Sequence, residues 1–351
     1  MTVSPATSNQ HIPVMLGEIL DQAAGVTDDL KRALRVGFDG TFGRGGHTRE
    51  LLKANPELRM IAFDQDQDAI RFGEENFASE ISAGRLDLVR ANFENMKEAG
   101  TRVKAISTDG FEFMMLDLGV SSPQLDVAGR GFSFYHDGPL DMRMDDRLEL
   151  TAATIVNEWA EQDLARVFIA QGEIEYPFKV VRAILNDRQT TAFTTTKQLA
   201  GLIERVDGWV KKGFHPATQY FMALRLEVNR ELDVVEKALP EALKLLAPGG
   251  RLAVITFHSL EDRIVKNLFR SVEEGEVLGA NFGENVKRKA FKPSVKETTT
   301  NPRSRSAKLR VFRRFATGEA KGPKNKYAHL AKNRHGQPPP EETPDETPDD
   351  E

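Results

Sequence analysis

Four glycines within seven residues, directly behind a short apolar strand, constrain this chain more than any other feature. The stretch runs Val36-Gly-Phe-Asp-Gly-Thr-Phe-Gly-Arg-Gly-Gly-His47 and continues into Thr48-Arg-Glu-Leu-Leu-Lys, which reads as the opening turns of a helix. Glycine permits positive φ and close backbone approach, and a helix start offers N–H groups with no intrahelical partner. Strand, glycine turn and helix N-terminus in that order make a ligand-binding corner of an open α/β sheet.

The spacing narrows the ligand. A dinucleotide fingerprint wants G-x-G-x-x-G. Counting from Gly43, the second glycine fits at Gly45, but Thr48 stands where the third belongs. Asp39 closes the strand ahead of the turn, a place that suits a cationic amine better than a pyrophosphate. The pattern favours S-adenosylmethionine over a nicotinamide dinucleotide.

Later strands repeat the arrangement. Met60–Phe63 is apolar and ends at Asp64, 25 residues beyond Asp39 and suitably placed for a ribose diol. Asp66 and Asp68 read as acids at a helix start. Leu86–Val89 leads to Asn92-Phe93, a loop able to face an adenine, and Phe111–Leu116 ends at Asp117. From Thr151 to Val210 the apolar spacing turns helical: Leu164, Val167 and Phe168, then Phe178, Val181 and Leu185, then Leu199, Leu202 and Ile203 behind a cap at Thr196. No strand alternation appears there, which predicts a helical insertion. Sheet patterning resumes with a helix through Phe221, Leu224, Val228 and Leu232, a strand over Leu252–Phe257, and an edge strand at Leu309–Phe312.

At 351 residues the chain has room for two domains or one large domain with an insertion. Cysteine is absent, which excludes disulfides and thiolate metal sites, and the seven histidines show no ligand spacing, so no catalytic metal is expected. Met1–Gln10 is polar and no run of about 20 apolar residues occurs, as in a soluble cytoplasmic protein. The net charge of −5 conceals an asymmetry. Lys287–Arg334 holds sixteen Lys and Arg against Glu297 and Glu319, whereas Glu341–Glu351 holds seven acids and no base. The basic run suits nucleic acid, and the tail beyond it reads as disordered.

Longer motifs are more specific. Asp117-Leu-Gly-Val-Ser-Ser-Pro-Gln-Leu-Asp126 stands with Gly-Thr-Phe-Gly-Arg-Gly-Gly-His47, Arg-Gly-Phe-Ser-Phe134, Gly-Pro-Leu-Asp-Met-Arg-Met144, His-Pro-Ala-Thr218, Phe-His-Ser-Leu-Glu-Asp-Arg263 and Asn-Pro-Arg-Ser-Arg-Ser306. Through these motifs, in chain order from His11 to about Phe315, the chain resembles the MraW/RsmH family. These are bacterial methyltransferases that use S-adenosylmethionine to modify the N4 amine of a cytidine in small-subunit (16S) ribosomal RNA.

The resemblance implies an α/β class I methyltransferase (Rossmann-like) sheet with an inserted α-helical domain. Residues 9–129 and 215–317 would form the methyltransferase domain, 130–214 the substrate-recognition insertion, and 318–351 a disordered charged tail. It implies cofactor contacts from Gly45, Gly46, His47, Asp64, Phe93, Asp117 and Gln124. The implied partner is the small ribosomal subunit, with no membrane, for a monomer or homodimer. Gly172-Glu-Ile-Glu-Tyr176 departs from the family, where Gly-Glu-Glu more often precedes a basic residue.

A cytosine N4 amine is a poor nucleophile because its lone pair is delocalised into the ring. The site must hold it in line with the methyl group and accept its N–H hydrogens. Amino-methyltransferases commonly place Asp/Asn/Ser-Pro-Pro-aromatic behind the fourth strand; here Ser122-Pro123-Gln124 stands there without the aromatic. Asp117, Ser122 and Pro123 are therefore the expected catalytic residues, with Ser122 Oγ or the Pro123 carbonyl as acceptor. His258 and Glu261 are candidates for the substrate pocket, although His258 also reads as a strand-end residue bonded to backbone. Two rivals remain at this stage: a nicotinamide oxidoreductase, and a non-catalytic RNA-binding protein using the basic run.

Overall fold

The computed structural model describes residues 13–107, 109–208 and 215–320. His11, the basic residues beyond Ala320 and the acidic tail lie outside them. Seven strands form one sheet: β1 (Val36–Asp39), β2 (Arg59–Asp64), β3 (Leu86–Arg90), β4 (Phe111–Asp117), β5 (Leu246–Thr256), β6 (Gly283–Asn285) and β7 (Lys308–Arg314). Their order is β3-β2-β1-β4-β5-β7-β6. The first five run parallel, β7 is antiparallel to β5, and β6 is antiparallel to β7. This is the class I methyltransferase sheet. The winding reverses between β1 and β4, so a crevice opens beyond their C-terminal ends.

The strands read as near-continuous apolar runs because both faces of the sheet are covered. Alternate side chains point to opposite sides. Ile61, Phe63, Met114, Leu116, Leu252 and Val254 pack under the Met96–Lys104, Glu231–Leu245 and Ser259–Glu273 helices. Met60, Ala62, Phe113, Met115, Ala253 and Ile255 pack on the other side with Ile19, Ala23 and Val26 of the Leu16–Leu30 helix. A one-residue slip in any of these strands would exchange the two sets.

A separate apolar core belongs to the helices Ala152–Glu158, Glu161–Ala170, Phe178–Asp187 and Thr196–Asp207. It buries Ile155, Leu164, Phe168, Val181, Ile184, Leu199 and Ile203, and it also takes in Tyr220, Phe221 and Leu224 from the Ala217–Val228 helix. Phe178, expected on the buried stripe, is 42% exposed; Val180, Val181 and Ile184 carry that face instead.

Three local expectations are corrected. The helix cap at 196 is Thr195, whose hydroxyl accepts from Gln198 N while Gln198 Oε1 accepts from Thr195 N; Thr196 is the first helical residue. The helix expected through Leu232 is two helices, Ala217–Val228 and Glu231–Leu245, because Arg230 turns left-handed (φ 51°). Apolar spacing continues across that break and hides it. β7 is not an edge strand, since β6 lies outside it; three residues of Gly-Glu-Asn carry no alternation to reveal a strand.

Candidate functional site

The crevice at the switch point is lined by Gly40–Arg44, Gly46 and His47 from the glycine turn, Asp64–Asp66 from the end of β2, and Asn92 and Phe93 behind β3. Asp117–Ser122 and Gln124 line it from behind β4, with Phe257 and Glu261 from behind β5. Thus the C-terminal ends of all five parallel strands converge on one cavity.

The turn is built from within. Gly45 precedes the Gly46–Ala54 helix at φ 65°, and a Cβ there would run into the rings of Phe42 and Phe77. It is not a wall residue; it shapes the wall. Asp39 is likewise internal. Its Oδ2 accepts from Thr48 Oγ1 at 2.6 Å and its Oδ1 from Thr41 N at 3.0 Å, and burial pushes its carboxyl up. Buried and outside the cavity lining, Asp39 fastens the turn to the helix start instead of holding a ligand amine, which corrects the expectation for it.

Asp64 faces the cavity. Its Oδ2 accepts from Gly43 N at 2.7 Å and its Oδ1 from Asp66 N at 2.8 Å, which fixes the carboxylate and leaves a lone pair on each oxygen. Burial pushes it up to about 7, against the two backbone N–H groups that favour the charged form. Phe93 opens a short 3₁₀ turn capped by Asn92, whose Nδ2 donates to Gln65 Oε1 at 2.7 Å.

Asp117 ends β4 with its backbone N–H donating to Thr41 Oγ1 at 2.7 Å. Its Oδ2 lies 3.8 Å from His47 Nδ1, while Oδ1 is buried with no hydrogen-bond partner among the described residues. Burial pushes the carboxyl up to about 8, with the charges of Asp39 and Glu261 adding. A buried carboxylate oxygen without a partner, on a residue that lines the cavity, fits an ammonium group brought by a ligand. His47 Nε2 meets Val14 O at 2.9 Å, so the ring orients between the amino-terminal segment and Asp117.

Ser122, Pro123 and Gln124 begin the short helix Ser122–Asp126, capped by Ser121. Ser122 reaches the cavity, where Arg303 contacts its hydroxyl. Pro123 is outside the cavity lining, and its carbonyl accepts from Val127 N at 2.9 Å, which leaves it one lone pair. Gln124 is buried; its Oε1 accepts from Ser121 N and its Nε2 donates to Asp66 Oδ2, both at 2.9 Å. Arg130 Nη1 also donates to that Asp66 oxygen, at 2.8 Å.

Glu261 accepts from Phe257 N at 2.8 Å, and His258 Nε2 stands 3.0 Å from its Oε1. Burial alone would raise the Glu261 carboxyl, but His258, the Phe257 N–H and Arg225 hold it below its ordinary value. Glu261 lines the cavity and His258 does not; the His258 ring faces a carboxylate, not the backbone expected for it. Sequence reasoning missed Glu231, Asn229, Met144 and Arg303 in the wall. Glu231 is clamped by Arg225 at 2.8 and 3.1 Å, and Asn229 accepts from Met144 N at 2.7 Å. Met144 and Arg303 sit inside quoted motifs, which was the available signal; Glu231 and Asn229 look like ordinary surface residues of a helix. The cavity wall also depends on a long-range tie, because Glu297 Oε1 accepts from Met15 N at 2.7 Å beside Pro13 and Val14.

Comparison with known proteins agrees with this geometry. A family model described as the MraW methylase family matches residues 8–315. The protein named ribosomal RNA small subunit methyltransferase H from Bdellovibrio bacteriovorus is 51% identical over 312 residues, covering 89% of this chain and 90% of that one. Proteins of the same name from Symbiobacterium thermophilum (41%, 88% of this chain and 98% of that one) and Legionella pneumophila strain Paris (43%, 88% and 99%) match similarly. Among solved structures, an rRNA methylase from Streptococcus thermophilus aligns over 82% of this chain and 93% of that one, with a TM-score of 0.35 and 11% identity, too remote to bear on the site. A methyltransferase sheet, a cavity fitted to S-adenosylmethionine and relatives alike over nearly their whole lengths lead to one conclusion: the chain belongs to the MraW methylase family.

Proposed function

We propose that this protein methylates the N4 amine of a cytidine in small-subunit ribosomal RNA, acting in the cytoplasm. The observation that carries the reading is the partnerless buried Asp117 Oδ1, set in one cavity with Asp64 and the Ser122 hydroxyl. The names of the relatives support the ribosomal RNA substrate.

When bound, S-adenosylmethionine supplies a methyl group activated on a sulfonium. Asp64 would accept the ribose hydroxyls, Phe93 would lie against the adenine, and Asp117 would take the ammonium. Gly45, Gly46 and His47 shape the wall beside Asp117, and Gln124 fixes the loop that carries Ser122. Ser122 Oγ would accept an N4–H hydrogen, which orients the nitrogen lone pair for in-line attack. Residues 130–214 would shape the RNA site beside the cofactor, a role supported by their position directly after the Ser122 loop.

Among the described residues the basic run divides into two classes. Arg310, Lys308 and Arg313 are held by Asp262, Glu284 and Glu319, and Arg314 donates to Leu246 O. Lys287, Arg288, Lys289, Lys292, Lys296, Arg303 and Arg305 are exposed, and these would meet RNA phosphates.

The deciding experiment is methyl transfer from labelled S-adenosylmethionine to undermethylated small subunits, followed by nucleoside analysis. N4-methylcytidine is the expected product. Methylation at ring C5, or none, refutes the assignment.

A further inference from the structure

Arg303 belongs to the basic run, yet it sits in the cavity wall. It projects from the Pro302–Ser306 turn, which is fixed by a fully buried Ser304 whose N–H and Oγ both donate to Asn301 O, at 3.0 and 2.8 Å. The preceding helix, Val295–Thr300, is tied to Met15 through Glu297. From this held base the guanidinium reaches across to the Ser122–Asp126 helix. Nη1 contacts Ser122 Oγ, and Nη2 donates to Asp126 Oδ1 at 2.8 Å.

These contacts do not resemble a permanent structural pair. The Arg303 and Asp126 side chains are 40% and 65% exposed, and an ion pair that exposed contributes little. By contrast, a guanidinium meeting a phosphate can form two charge-assisted hydrogen bonds. Ser122 and Asp126 are one helical turn apart, so one guanidinium reaches both.

The geometry points to Arg303 as the clamp for the phosphodiester of the target nucleotide, exchanging Asp126 for phosphate as RNA docks. The inference rests on the reading of the chain as an RNA methyltransferase. It also gives the exchange a consequence at the reacting amine. Without RNA an Arg303 N–H takes one of the two lone pairs of Ser122 Oγ; drawn to phosphate, it leaves both open to N4–H. Binding of the backbone and readiness of the acceptor are then one event.

The test compares the parent with Arg303→Ala, Arg303→Lys and Asp126→Asn, measuring methylation of undermethylated small subunits over a range of salt and S-adenosylmethionine affinity by calorimetry. Arg303→Ala should lower kcat/KM about tenfold and reduce the slope of log kcat/KM against log salt by about 0.7–0.9, one phosphate's worth. Its cofactor affinity should stay within about twofold, a change of under ~0.5 kcal/mol. Arg303→Lys should restore the slope without the full rate, because a point charge replaces a fork. Asp126→Asn, lacking the competing carboxylate, should bind subunits more tightly. An unchanged salt slope in Arg303→Ala overturns the inference. A loss of cofactor affinity matching the loss in kcat/KM also overturns it, and assigns Arg303 to the cofactor carboxylate. If the parent itself transfers no methyl group to subunits, the functional reading fails and the clamp with it; if the parent is active and Arg303→Ala behaves like it, only the clamp fails.

Discussion

The Gln124 amide donates to Asp66 Oδ2 at 2.9 Å, joining the loop behind β4 to the helix cap behind β2 across 58 residues of sequence. Asp66 is 6% exposed, its Oδ1 caps the Gln67–Asn76 helix through Asp68 N, and its Oδ2 also receives Arg130. One carboxylate therefore fixes the end of the cofactor strand, the Ser122 loop and the start of the helical insertion relative to one another. Gln124 acts through this joint.

That joint separates two kinds of loss. Asp64→Asn should weaken S-adenosylmethionine binding about 10- to 150-fold, corresponding to roughly 1.5–3 kcal/mol for hydrogen bonds to a charged group. The sheet should survive, since Asp64 lies beyond the packed part of β2. Calorimetry paired with a thermal melt checks both halves, and unchanged affinity would remove Asp64 from the ribose.

Ser122→Ala should slow single-turnover methylation about 10²–10³-fold, the usual cost of one transition-state hydrogen bond, with little effect on cofactor affinity. If the remaining lone pair of the Pro123 carbonyl takes over, the loss should soften to about tenfold. Normal turnover in this variant would exclude Ser122 from the chemistry.

Cofactor binding should depend on pH through Asp117. Its folded pKa of about 8 lies above the ordinary 3.8, so the neutral form contributes stability that is fully present below about 4 and is lost as pH rises through 8. Holding an ammonium requires the carboxylate, so below pH 8 binding must expel that proton. Affinity should rise with pH by up to about tenfold per unit from 6 toward 8, and then fall as the ligand's ammonium loses its own proton. Asp64, pushed up to about 7, titrates in the same window. The difference between parent and Asp117→Asn profiles isolates the Asp117 contribution, and identical profiles would refute it.

The basic run should separate by mutation as it does by structure. Arg310→Ala strands a buried Asp262, with which Arg310 pairs at 2.7 Å, and should destabilise the fold by about 3 kcal/mol, the low end for a broken buried pair because Lys308 remains. Removing Arg288, Lys289 and Lys292 together should leave denaturant unfolding within about 0.5 kcal/mol of the parent. It should lower the salt slope of subunit binding by about 2–3. Stability loss in the triple variant, or none in Arg310→Ala, would reverse the division.

The sequence exposed what repeats and concealed what is closed by distant partners. Strand ends marked by Asp64, Asn92-Phe93 and Asp117 were legible because apolar runs stop abruptly at polar residues. Asp39 obeyed the same rule and was misread, since only the folded turn shows Thr41 and Thr48 taking both its oxygens. The break at Arg230 was invisible because Leu226, Val228, Val234 and Val235 keep helical spacing across it and are all buried. Arg303 carried a charge that placed it among RNA contacts, but nothing local reveals that it reaches Ser122.

The tie from Met15 N to Glu297 also fixes when this site can come into being during synthesis. The carboxylate that secures the wall of Pro13 and Val14 follows Met15 by 282 residues. The complete wall can therefore close only after Glu297 has been synthesised.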